Sequence, residues 1–227
     1  MKSYEFFILF ILFLTQLVGC APSTILAIPT SITDRRTTEV QIADNKIFLA
    51  AWNPIQEITE KAHAVGAKVL VDGAQSIPHM KVDVQDIDCD FYTFSGHKMY
   101  APSGIGGVYG KMDIWEELPP YVTGGDMIMQ VTLEKTTYAK PPARFEAGTP
   151  PITQVIGLGA AIDYLNEIGL DKIADYENTL LEYGNTLFND IEGVRIIGNA
   201  HHKASIISFY IEAAHPHDVV TLLDQDG

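Results

Sequence analysis

Apolar and polar positions along this chain change rhythm several times, and each change predicts an element. Residues 6–18 form a nearly continuous apolar run behind Lys2, shorter than the ~20 residues a membrane-spanning helix needs and close to the length of a signal-peptide core. Residues 21–46 are rich in Thr, Ser, Ile and Asp without steady period, which predicts a linker. At Asn53-Pro54 a helix signal begins. Asn53 suits the N-cap, Pro54 the first helical position, and Ile55, Ile58 and Ala62 recur on one face before Gly66, predicting a helix over 54–65. Short apolar runs at 69–71, 89–95 and 104–109 predict buried strands of an α/β sheet. The stretch 114–151, punctuated by Pro119-Pro120, Gly124-Gly125, Pro141-Pro142 and Pro150-Pro151, reads as ordered loops. Helical spacing returns over 153–168 and 170–191, with Gly169 and Gly193 as punctuation, followed by strand patterns at 194–197 and 206–211 and a helix over 216–226. The expected class is α/β, a mixed and mainly parallel sheet with flanking helices, divided into a leader at 1–20, a linker at 21–52, a larger domain at 53–168 and a small α/β domain at 169–227.

Composition narrows the partners. With 47% hydrophobic and 19% charged residues the chain is an ordinary globular one. A net charge of −14 without a Lys/Arg cluster excludes nucleic acid as a partner, because binding a polyanion requires a basic face to displace counterions. Cys20 and Cys89 have neither disulfide-framework nor zinc-site spacing, so a reducing compartment is expected for the globular part. The leader points elsewhere. It ends in Leu17-Val18-Gly19-Cys20, similar to the lipobox of bacterial lipoproteins, in which the cysteine carries the lipid. A buried helix, or an upstream extension of the reading frame, competes with that reading.

Candidate chemistry lies in the middle of the chain. Asp72 closes one predicted strand and Gln75 follows it; Ser95-Gly96-His97-Lys98 closes the next. Strand ends are where open α/β sheets present ligand-binding groups. Alone, Asp72-Gly73 would be a turn, Lys98 a solvated charge and His97 a hydrogen-bonding residue. Together they supply what pyridoxal 5′-phosphate (PLP) requires: an amine for a Schiff base, a carboxylate for the pyridine nitrogen, and hydroxyl and imidazole donors for the phosphate. Gly104-Ile105-Gly106-Gly107 precedes a strand rather than a helix, so it reads as close backbone packing and not as a dinucleotide loop.

Residues 69–75 (VLVDGAQ), 89–98 (CDFYTFSGHK), 104–107 and 144–150 (RFEAGTP) closely resemble the cysteine desulfurases and selenocysteine lyases of the class V aminotransferase group, over a stretch from about Asn53 to Gly227. The resemblance implies a fold-type I PLP enzyme, homodimeric, that takes sulfur from L-cysteine, leaves L-alanine and an enzyme-bound persulfide, and passes the sulfur to an acceptor protein. It further implies that Lys98 anchors PLP and moves the substrate α-proton, Asp72 pairs with the pyridinium nitrogen, and Gln75 contacts the ring hydroxyl. Ser95 and His97 would hold the phosphate. Thr149 would reach the phosphate of the partner subunit, with Arg144 supporting its loop.

The same resemblance also predicts departures. The family's N-terminal phosphate turn and stacking histidine have no counterpart in residues 1–51, the segment 46–52 lacks its Ser-Asn, and the substrate-carboxylate arginine and nucleophilic cysteine would fall after Gly227. Cys89, in an apolar strand, is expected to be inert. A fragment with impaired desulfurase activity is therefore expected. The alternatives are another class V enzyme (aminotransferase, lyase or epimerase) or a non-catalytic lipoprotein with a relic site. The resemblance implies a cytoplasmic protein, whereas the leader implies a lipoprotein anchored in the membrane through Cys20.

Overall fold

The computed structural model describes residues 54–198 and 203–226. The leader, the linker and Asn53, proposed as an N-cap, lie outside them. The described residues fall into two compact units, 54–174 and 175–226, divided within one helix.

The first unit opens with α1 (Ile55–Ala64). Its inward face differs from the one the pattern suggests. Thr59 is fully buried while Ile58 is exposed, because the Thr59 hydroxyl donates to the Ile55 carbonyl at 2.8 Å and so enters the interior with its polar atom satisfied. β1 (Leu70–Asp72) follows, then α2 (Val84–Ile87), which the apolar pattern does not reveal. Asp83 caps α2 by accepting the Gln85 and Asp86 N–H groups at 2.9 and 3.2 Å, a local signal strong enough to start a single turn. β2 (Phe91–Ser95) pairs parallel to β1, and β3 (Gly106–Gly110) pairs antiparallel to β2. Three strands in the order β1-β2-β3 form this sheet. β3 runs close against β2: a Cβ on Gly106 would stand 2.6 Å from the Phe94 carbonyl oxygen and one on Gly107 2.5 Å from the Phe94 ring, so these two glycines serve close packing, whereas Gly104 has open space around it and supplies a backbone φ of 88°.

The stretch expected to be loops contains regular structure. After α3 (Met112–Glu117), β4 (Ile128–Val131) and β5 (Thr136–Tyr138) form an antiparallel hairpin. All four β4 residues are exposed, so the inward–outward alternation that betrays a strand is missing. α4 (Ile152–Ile168) then packs Leu158, Ala161 and Leu165 against Met99, Ala101 and Ile105. A second cluster gathers Val71, Cys89 and Tyr92 between α1, α2 and the sheet. Each large apolar side chain so buried contributes about 1.5 to 3 kcal/mol.

α5 (Leu170–Asn189) carries the division between units. In the second unit β6 (Val194–Ile197) and β7 (Ser208–Ile211) form an antiparallel pair, followed by α6 (Pro216–Asp226). Phe188 packs on Phe209 with ring centroids 4.7 Å apart. Among the described residues no helix is long and apolar enough to cross a membrane.

Candidate active site

Two neighbouring strand ends carry the candidate residues. β1 and β2 run parallel with Asp72 opposite Thr93, so both chains leave the sheet at its carboxyl end, the side on which open α/β sheets bind ligands. The Gly73 N–H donates to the Thr93 carbonyl at 2.8 Å, holding the strands together one residue past the last pair. The Ala74 N–H then donates to Asp72 Oδ1 at 3.0 Å. That Asx turn fixes the carboxylate, while Asp72 Oδ2 has no hydrogen-bond partner among the described residues. The N–H groups of Ser76 and Ile77 converge on the Gly73 carbonyl at 3.0 and 3.1 Å, with Gln75 exposed in the turn.

Beyond β2 the chain tightens into a 3₁₀ turn, Gly96–Met99. Gly96 and Met99 are buried, and His97 and Lys98 between them are exposed. Met99 is held in the cluster with α4, and the Ala101 N–H closes the turn on the Gly96 carbonyl at 3.0 Å. Tyr100 ends it in the left-handed region at φ 67°, where a side chain costs on the order of 1 kcal/mol. Packing thus fixes the backbone on both sides of two polar side chains that it leaves at the surface. The side chains of Ser95, His97 and Lys98 make no hydrogen bond to the described residues.

The opposite end of the strand pair is electrostatically closed. Asp90, just before β2, is buried. It accepts the Val69 N–H at 2.7 Å, approaches His63 Nε2 at 2.9 Å, and takes Lys68 Nζ at 3.3 Å. Burial alone would raise its pKa, but the bonds from Val69, His63 and Lys68 outweigh it and hold the carboxyl below its ordinary range. Cys89 beside it is fully buried, and burial pushes its thiol pKa up, which keeps it a poor nucleophile.

Thr149 belongs to a separate, exposed loop. The Gly148 N–H ties that loop to the Gly125 carbonyl at 2.9 Å. Arg144 braces the neighbouring backbone: its Nε donates to the Ala139 carbonyl at 3.0 Å, and its Nη1 to the carbonyls of Glu116 and Leu118 at 2.9 and 3.1 Å. Asp72, Gln75, Ser95, His97 and Lys98 therefore lie at the adjoining carboxyl ends of β1 and β2 or in the turns just after them, whereas Thr149 lies on the loop ahead of α4. Sequence reasoning missed Tyr92 and Ser76 beneath the Asp72 turn. Tyr92 has the look of one more apolar strand residue, and only its bond to Ser76 distinguishes it.

Residues 23–227 match the aminotransferase class-V family. The chain belongs to that family. The match starts at residue 23, ahead of Asn53, where the motif resemblance begins. Over 195 residues the chain is 48% identical to a cysteine desulfurase of Serratia proteamaculans, covering 86% of this chain and 48% of that protein. The apo structure of a cysteine desulfurase from Thermococcus onnurineus superimposes with a TM-score of 0.74 at 36% identity, covering 78% of this chain and 45% of that one. A lysine-to-alanine variant of C-DES with glycine covalently linked to its PLP cofactor matches at TM-score 0.68 and 25% identity, over 79% of this chain and 49% of that one. The class V chain spans about half the length of these relatives. Its fold is that of the fold-type I enzymes, and its sequence is that of a PLP-dependent enzyme family.

Proposed function

We propose that this chain is the cofactor-binding portion of a PLP-dependent cysteine desulfurase, with Lys98 as the residue that holds the cofactor. The observation that carries this reading is the set of groups at the adjoining ends of β1 and β2 and in the turns just after them. An amine, a carboxylate oxygen, a hydroxyl and an imidazole stand there without partners among the described residues, and their chemistry fits an aldehyde, a pyridine nitrogen and a phosphate. The structure of C-DES with glycine covalently linked to PLP supports the same cofactor here.

When bound, PLP supplies an electron sink that stabilises negative charge at a substrate α-carbon. Lys98 Nζ would hold the cofactor through its aldehyde, and as a free amine Lys98 would carry the substrate α-proton. Asp72, with Oδ1 tied by Ala74, offers Oδ2 to keep the pyridine nitrogen protonated. Gln75 contacts the ring hydroxyl, and Ser95 and His97 grip the phosphate. Thr149 serves the site of a second copy in a homodimer, with Arg144 bracing its loop. Residues 53–168 act as the second half of the cofactor domain and 169–227 as the start of the small domain. L-cysteine is the substrate, a sulfur-acceptor protein the partner, and the cytoplasm the compartment. Cell fractionation that finds lipid on Cys20 in the membrane would reverse the last assignment.

Borohydride reduction of the PLP-treated chain followed by peptide mapping tests the reading. The expected label is on Lys98, lost in Lys98→Ala. Equal labelling of Lys98→Ala, or a label confined to another lysine, would overturn it.

A further inference from the structure

We infer that Tyr92 is a positioning residue for the Asp72–Gln75 turn, acting through Ser76. This rests on the PLP reading above and deepens it, since the turn carries the carboxylate and amide assigned to the cofactor ring. Tyr92 lies on β2 opposite Val71 and is 3% exposed. Its ring runs under the turn so closely that a Cβ on Gly73 would stand 1.9 Å from Tyr92 Cζ. The ring therefore fills the space a side chain at 73 would take, and only glycine lets the backbone lie on it.

The hydroxyl completes the clamp. Tyr92 Oη lies 2.7 Å from Ser76 Oγ, and Ser76 Oγ donates to the Gly73 carbonyl at 3.2 Å. A serine hydroxyl has one proton, and a carbonyl can only accept. With that proton committed to Gly73, Tyr92 is the donor in the Tyr92–Ser76 bond. Burial raises the Tyr92 pKa, which keeps the phenol protonated for that task. The direction Tyr92 to Ser76 to Gly73 ends on the same carbonyl that receives the Ser76 and Ile77 N–H groups. One buried phenol thus anchors the serine hydroxyl that reaches the carbonyl on which the turn closes, while Asp72 and Gln75 stay exposed.

Tyr92→Phe keeps the ring and deletes the donor; Ser76→Ala deletes the relay and reports on the clamp if Tyr92→Phe does not fold. Two measurements on the 227-residue chain decide the matter. Without cofactor, amide exchange at Ser76 and Ile77 should quicken by about three- to tenfold in either variant, the equivalent of one neutral hydrogen bond, with α4 unaffected. With PLP, the dissociation constant should rise by about three- to tenfold on the same basis, and the visible circular dichroism band of the bound cofactor should weaken as its ring loses a fixed seat. Unchanged exchange at 76 and 77 in both variants overturns the clamp. Changed exchange with unaltered PLP affinity and dichroism overturns its positioning role. If the unaltered chain takes no PLP at Lys98, the cofactor reading and the positioning role fall together, while the exchange data still decide the clamp.

Discussion

Asp72 and Asp90 stand at opposite ends of one pair of parallel strands and have opposite environments. Asp72 closes β1 with one oxygen in an Asx turn and the other open. Asp90 precedes β2, buried, with a backbone N–H, an imidazole and an ammonium group on its oxygens. One carboxylate is spent on the fold and the other is available for chemistry.

That contrast gives the first prediction. Asp90→Ala leaves the Val69 N–H without its acceptor and His63 Nε2 without its carboxylate, which should cost about 2 to 4 kcal/mol. Asp72→Asn, at an exposed site, should change stability by no more than about 0.5 kcal/mol while weakening PLP binding. Urea unfolding of both variants checks this, and equal losses would sink the division of roles.

Stability should fall at both extremes of pH, for reasons with opposite sign. Asp90 is held below its ordinary value of 3.8; burial opposes this, and the bonds from Val69, His63 and Lys68 prevail. The folded chain then binds fewer protons than the unfolded one, so this stabilisation is complete above the ordinary value and lost as pH falls through the depressed one. Cys89 is raised above 9.0, chiefly by burial. The unfolded thiol therefore loses its proton first, and stability declines as pH rises beyond 9.0. Lys111 adds to that decline. Burial lowers its pKa, but hydrogen bonding and charge from Asp88 outweigh this and raise it above 10.5, so its contribution is present below that value and lost above it. In urea titrations against pH, Asp90→Asn should flatten the acid limb and Cys89→Ala the first part of the alkaline limb.

Arg144→Lys tests the brace beneath the Thr149 loop. A guanidinium reaches three carbonyls here, and an ammonium point charge cannot reproduce that fork. The expected loss is about 1 to 3 kcal/mol, with faster proteolysis between residues 139 and 150. Unchanged cleavage would show that the aromatic contact of Trp115 with Phe145, at 4.6 Å, holds the segment without Arg144.

Gly73→Ala should destabilise the chain by about 1 to 3 kcal/mol through overpacking, because the new methyl and the Tyr92 ring claim one space. Combined with Tyr92→Ala, the added cost of Gly73→Ala should shrink, since the obstructing ring is gone. Additive losses in thermal or urea unfolding would place the strain elsewhere.

By itself the sequence determined the elements whose signals are local and the identity of the candidate groups. The helix at 216–226, the strand at 194–197 and the helix starting at residue 170 are legible because apolar period and Gly or Pro punctuation lie within each segment. Asp72, Gln75, Ser95, His97 and Lys98 were legible as chemistry that a PLP site needs. Tertiary structure decided what depends on residues far apart in the chain. The hairpin 128–138 pairs β4, exposed throughout, with β5, half-buried throughout, so neither carries an inward–outward alternation. Thr59 replaces Ile58 on the buried face because its hydroxyl finds a carbonyl one helical turn back. The parallel register of Asp72 with Thr93 brings two strand ends to one edge, and the bond from Tyr92 to Ser76 joins residues 16 positions apart. Local propensity says nothing about such pairings: each forms only when the apolar contacts of the whole unit offset the chain entropy lost in bringing distant segments together.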